Sequence, residues 1–480
     1  MIARGRDAAV LALHRFGFGP ASGSVDAIVS DPRGAVLAEL ERAGAGALAV
    51  TNLPSSSEAA RAVADFRAEQ QAKQKLELRV QKQADAQVAE HGMTQAANAA
   101  ADIVLPPKTQ PNREPPLPQQ LLLAEAKARL DAATGAEIGI VERLVWFWSN
   151  HFCISADKVQ GMAGAYEREA IRPYVLGRFG DMLQAVENHP AMLVYLDNVQ
   201  SMGPDSVAGI NRDKGLNENL ARETLELHTL GVRTGYSQTD VTSFAKVLTG
   251  WTWMPPDEPN HGGEFVFNKR LHEPGDQTVL GKTYPDTGVG QGRAVLADLA
   301  KHPATAQHIA QKLARHFIAD EPSPALTAKL AKSFADSGGN LKTFAKTLVS
   351  ADEAWTPQRQ KLKPPSEWIA GVLRLTGVQA AIPIGRTLGA QASLGEALWR
   401  PPAPNGYADT EAAWIDGIPR RLDIASEFAG KVAQATDPLS LLDSTLGPLA
   451  SVDTRETVSR AESRAQALAL LVMAPEFLRR

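Results

Sequence analysis

Glu223 and Glu226 stand three residues apart in Asn217-Glu-Asn-Leu-Ala-Arg-Glu-Thr-Leu-Glu-Leu-His-Thr-Leu-Gly231. On a helix that spacing brings their β-carbons to roughly 5–6 Å. Two shielded carboxylates so close resist ionising together, so one pKa must rise. This is the physical basis for acid/base catalysis, and equally for binding a hard divalent cation across the Glu223/Glu226 face. Asn219 and Arg222 fall in the same narrow arc, with an apolar seam of Leu216, Leu220, Leu227 and Leu230 beside it. The competing reading is architectural: Arg222 neutralises one of the acids, and the stripe is a solvated edge.

Other polar groups sit in apolar helical stretches. In Glu137–Phe152, which is apolar almost all round, Glu142, Trp146, Ser149 and Asn150 share one face while His151 points elsewhere. A buried Glu142 requires a cation or donor, because an unpaired buried carboxylate costs several kcal/mol. Arg143 lies about 100° around the helix, so the partner is expected on another element. Asp197 ends the apolar Ala191–Leu196 stretch and either turns the chain or offers a carboxylate to the central helix. Asn217 precedes the stripe. Trp251 either lines a sugar-binding surface or fills the core. His272, beside a Pro-Gly turn, is a loop candidate. The substrate-binding set read from the residues is therefore Asn150, His151, Asp197, Asn217, Asn219, Arg222, Trp251 and His272, around Glu223 and Glu226 as the catalytic pair.

Several chemistries are disfavoured. There is no Gly-x-Ser-x-Gly elbow and no His-Glu-x-x-His. Gly275–Thr283 resembles a phosphate loop, but its glycines are one residue too far apart. The one Glu-x-x-His, Glu258-Pro-Asn-His261, carries a proline that argues against the helix a di-iron bundle needs. A single cysteine, Cys153, rules out an intrachain disulfide and a thiolate zinc cluster. The net charge of −4 gives no global field for nucleic acid, and no run reaches the length of a membrane span.

The elements that must position these residues are helices. Residues 1–53 read as N-terminal helices of the main domain, 54–118 as a helical and proline-rich insertion, and 119–480 as the main helical domain with a β-ribbon near 264–284. The fold class is mainly α, a large multi-helix domain. Glu167–Ala185 and Gly215–Gly231 are each expected to form one helix. Alternating strand and helix units are missing, so a doubly wound sheet is not expected. The start of the chain lacks the apolar run of a secretory signal, which suggests a cytoplasmic protein.

The chain resembles the bacterial "domain of unknown function 1800" family. The resemblance rests, in order, on His14–Pro20, Trp146–Phe152, Pro190–Asn198, Asn217–Gly231, Leu248–Trp251 and Phe265–Phe267 with His272 and Leu280-Gly281. It continues through Lys363-Pro364, Pro401-Pro402, Asn405-Gly406 and Trp414-Ile415. Pro404-Asn-Gly-Tyr407 departs from it where a Gly-Trp is more typical. The resemblance implies no established activity. It implies a partner from the "domain of unknown function 1501" family, which is similar to sulfatases, and export to the periplasm in that partner's company. Two functions stay in play: a hydrolase acting on polysaccharide or a related polar polymer through a carboxylate-rich helical site, and a non-catalytic accessory protein that pairs with a sulfatase-like partner.

Overall fold

Proline and small polar residues punctuate this sequence, and they set where its helices begin. Prolines occupy the first turn of the helices starting at Pro32, Pro190, Pro303, Pro324, Pro365 and Pro438, where a missing N–H costs nothing. Side chains of Asp31, Ser237, Ser323, Asn340, Ser451 and Ser463 accept the orphan N–H groups at their helix starts. His189 and His302, each in a His-Pro-Ala sequence, do the same through Nδ1 at 3.1 Å.

The computed structural model describes residues 2–91, 114–210 and 215–480. These residues are mainly α. In chain order the helices are α1 (Gly5–Arg15), α2 (Ser24–Ile28), α3 (Pro32–Glu39), α4 (Ser56–His91), α5 (Leu117–Gly135), α6 (Ile140–His151), α7 (Ala163–Tyr166), α8 (Phe179–Glu187), α9 (Pro190–Tyr195), α10 (Asn219–Glu223) and α11 (Gln238–Leu248). They continue as α12 (Val289–Leu299), α13 (Pro303–Phe317), α14 (Pro324–Asp336), α15 (Leu341–Ser350), α16 (Pro365–Thr376), α17 (Ile384–Ser393), α18 (Ile418–Val432), α19 (Pro438–Thr445), α20 (Val452–Ser459), α21 (Arg464–Val472) and α22 (Pro475–Leu478).

The ribbon consists of two separate antiparallel hairpins. β1 (Trp251–Trp253) pairs with β2 (Phe265–Phe267), Thr252 opposite Val266; β3 (Gln277–Val279) pairs with β4 (Lys282–Tyr284), Thr278 opposite Thr283. Of residues 54–118, α4 is helical to His91, and positions 92–113, including most of the proline-rich stretch, lie outside the described residues.

Two of the expected helices differ. The stretch 167–185 is interrupted: a π turn at Glu167–Ile171 runs into a 3-10 turn around Pro173, and α8 starts afresh at Phe179. Proline removes a helix hydrogen bond and clashes with the preceding turn. The stretch 215–231 is not one helix either. α10 begins at Asn219 and widens into a π turn at Thr224–His228, where Leu230 N–H donates to the Leu225 carbonyl five residues back. The Thr224 and Thr229 hydroxyls bond the carbonyls of Leu220 and Thr224, both at 2.6 Å, and help hold that geometry. Gly231, at φ +93°, ends it.

The apolar core forms two contiguous clusters. The larger joins α1, α6, α8, α9, α11 and α13–α15; the smaller joins α16, α18, α21 and α22, with Leu130 bordering both. The site described next lies where α6 meets the residues around α16.

Candidate functional site

α6 crosses the interior and carries polar groups along one side. The Glu142 carboxylate is gripped by Arg172 at 2.8 and 3.0 Å, a cation from another element, as its burial demands. Arg172 also holds Glu167, which accepts from Arg129 and from the Ser149 hydroxyl. Burial alone would raise the Glu167 pKa, but Arg129 and Arg172 outweigh it and leave it lowered. Two turns on from Glu142, Asn150 pairs with the backbone of Tyr407 in both directions, donating at 2.9 Å and accepting at 2.8 Å. Gly406, at φ +76°, permits this: a β-carbon there would stand 2.4 Å from the Asn150 carbonyl oxygen.

The Asn150 clamp holds the 396–414 segment over α6, and the two border a half-open cavity of about 80 Å³. This has room for a few ordered waters or the terminal group of a larger ligand. Trp146, Trp399 and Trp414 contribute walls; Glu367, Glu396 and Asp409 are its acidic lining residues. Arg129 stacks on the Trp146 ring at 4.0 Å. Trp399 adopts φ +50°, a left-handed conformation costly for a bulky residue, and its indole N–H reaches Glu167 at 3.3 Å.

The acidic groups of this cavity are held in opposite protonation states. Glu396 accepts from the Ser366 N–H and hydroxyl at 2.7 and 2.8 Å, capping α16, yet burial pushes its carboxyl up to about 7. For Asp409, burial acts in the same upward direction but is overcome by His316 at 2.7 Å and Lys361 at 3.1 Å, which hold it well below the usual carboxylate range. Arg143 and Arg480 likewise lower Glu367. His316, whose pKa burial depresses to about 4, is neutral and has both ring nitrogens engaged, by Asp409 and by Arg143. Environments that push two carboxyls apart in this way separate a proton donor from a fixed anion.

The residues singled out in the sequence lie mostly elsewhere. Asn150 lines the cavity, with its amide committed to Tyr407. Arg222 bonds Glu218 at 2.8 Å and Gln238 at 3.0 Å and stands 3.6 Å from Glu226, so much of the stripe pairs with itself on a half-exposed ridge. Asn219 is exposed. Glu223 has no hydrogen-bonding or ion-pair partner among the described residues; burial raises its pKa, opposed in part by His228 and reinforced by Glu226. Asp197 pairs with Lys158 at 2.7 Å, and Asn217 donates to the Asp197 carbonyl. His151 is buried and neutral, bonded to the His228 carbonyl. Trp251 is fully buried and presents no face to solvent, and His272 bonds the Thr249 carbonyl at 2.8 Å. Among the described residues no group of three or more His, Cys, Asp or Glu side chains is arranged to hold a metal ion, and the Glu223/Glu226 face offers two carboxylates.

Glu396, Asp409, Trp399 and Arg129 were not singled out from the sequence. The nearest signal was the proline-rich Pro401–Gly406 stretch, which lies between Trp399 and Asp409 in the chain. Among the described residues no helix is long and apolar enough to cross a membrane.

A family model described as "Protein of unknown function (DUF1800)" matches residues 11–479. No curated protein and no solved structure matches the chain.

Proposed function

Because the chain belongs to the DUF1800 family of proteins of unknown function, we propose a function from the geometry of its own site: a hydrolase acting on a polysaccharide or a related hydroxyl-rich polymer. The observation that carries this reading is the pairing of carboxyls in the Trp399 cavity. Glu396, at about 7, is partly protonated at neutral pH and suited to donate to a leaving oxygen. Asp409, which lines the same cavity, stays ionised and supplies the fixed negative charge that would stabilise developing positive charge. Trp146, Trp399 and Trp414 give the site an apolar wall for the terminal group of such a polymer, one face of Trp146 being already taken by Arg129. Glu223 keeps a place as the alternative acid, since among the described residues it has no hydrogen-bonding or ion-pair partner and its pKa is raised.

The test is a library of neutral and sulfated glycans incubated with wild type, Glu396→Gln, Glu223→Gln and Glu226→Gln, with released fragments read by mass spectrometry. Cleavage reduced about 100-fold or more in Glu396→Gln, with the variant still folded by circular dichroism at the assay temperature, is the expected result. Full activity in that variant with loss in Glu223→Gln moves the acid to the ridge; no cleavage of any glycan refutes the hydrolase reading.

A second reading, an accessory protein for a sulfatase-like partner, is favoured by α4. Its later turns are solvated, with Leu76 60% and Leu78 57% exposed, which leaves an arm for another protein to grip.

A further inference from the structure

Away from the Trp399 cavity, and sharing no lining residue with it, a groove of about 450 Å³ lies between α16, α17 and α18. The volume is that of a small-molecule site. Its floor is apolar: Trp368, Ile369, Val372, Leu373, Ile424 and Phe428. A wholly polar ligand would lose its hydration there without gaining hydrogen bonds.

The rim is charged, and unevenly so. Arg386, Arg420 and Lys431 line the groove with a single carboxylate, Glu427. Lys431 is bound to Glu427 one helical turn away, and Arg420 lies 3.6 Å from Asp423. Arg386 has no side-chain hydrogen bond or ion pair among the described residues and is exposed. The mouth therefore carries an excess of positive charge over an apolar interior.

We propose that this groove binds a single-chain amphiphile with a carboxylate head. The tail lies along the α16–α18 floor and the head between Arg386, Arg420 and Lys431. Size selects one acyl chain, and the rim selects its charge. The site is independent of the hydrolase reading.

Isothermal titration calorimetry with laurate, below its critical micelle concentration at pH 7.5, tests this on the full chain. Dodecyltrimethylammonium and octyl glucoside serve as cationic and neutral probes. One laurate per chain is expected, with the cationic probe bound at least tenfold more weakly. Arg386→Ala with Arg420→Ala is expected to weaken laurate about tenfold while leaving octyl glucoside unchanged. Ala390→Phe, which fills the groove from α17, is expected to abolish uptake. Should Ala390→Phe fail to fold, the exposed charge reversal Arg386→Glu with Arg420→Glu decides, by switching preference from laurate to the cationic probe. Absence of laurate binding to wild type overturns the proposal, as do equal binding of the two charged probes and indifference to both the filling and the reversal. Self-association in sedimentation that Ala390→Phe removes, without laurate uptake, assigns the groove to a second copy of the chain and also overturns it.

Discussion

Replacing Glu396 by Gln removes a carboxyl that the folded chain keeps protonated and the unfolded chain does not. Burial raises its pKa from an ordinary value of 4.5 to about 7. A gap of about 2.5 pH units, at about 1.4 kcal/mol per unit, sets a ceiling of about 3.5 kcal/mol. Partial exposure of Glu396 reduces this to about 2 kcal/mol.

The sign follows from proton counting. Below pH 4.5 both states hold the proton and there is no penalty. Between 4.5 and 7 the unfolded chain releases it while the folded chain keeps it, so wild-type stability falls as pH rises. Above 7 the penalty is constant. Gln does not titrate, so the stability of Glu396→Gln relative to wild type should climb by about 2 kcal/mol between pH 4.5 and 8. It climbs from an offset set by the altered bonds to Ser366, which do not depend on pH. Urea unfolding of both proteins at pH 4.5, 6 and 8 reads the difference directly, because groups common to both cancel. A flat difference, or a variant that loses ground as pH rises, would show that Glu396 is an ordinary ionised cap and remove the proton donor from the proposed site.

Two further outcomes test the scaffold around that site. Arg172→Met leaves the Glu142 and Glu167 carboxylates in the interior, and since Glu167 keeps Arg129, most of the loss falls on Glu142. The variant should lose about 3–5 kcal/mol in denaturant unfolding, with Glu142→Gln restoring more of it than Glu167→Gln; a loss below about 1 kcal/mol counts against a sealed ion pair. Gly406→Ala drives a β-carbon into Asn150 at a positive φ and should cost about 2 kcal/mol or more by the same assay, with increased proteolysis of the 396–414 loop; unchanged stability and cleavage would show that the Asn150 clamp does not hold the loop.

How far the sequence could be read depended on how local the signal was. The mainly α class and the polar side of α6 follow from a 3.6-residue period, and Glu142, Ser149 and Asn150 do bond neighbours along that side. The phase of the stripe at Glu223 was harder, because the regular period fails where α10 widens into its π turn. The break in 167–185 had a local cause, Pro173, visible in advance. The Trp399 cavity was not legible. Its walls come from residues 129, 146–154, 316, 364–367 and 391–414, which no periodicity relates, and Glu396 sits in an irregular segment where a carboxylate is normally solvated.

The cations that stitch the interior together also bear on how the chain comes to be folded. Arg15 donates to the carbonyls of Ala354, Thr356 and Gln358; Arg143 answers Glu367; Lys363 meets His14; Arg480 closes on Glu367. Each tie spans more than 100 residues. During synthesis, a chain extended only to about residue 350 holds Arg15 and Arg143 without these acceptors. Loop closures of that length are slow, and until they are made the intermediate exposes unfinished surface. The assembly of this protein is therefore governed by its latest contacts, and dependence on chaperones should track the integrity of the Glu367 cluster more closely than the helix content of the first 350 residues.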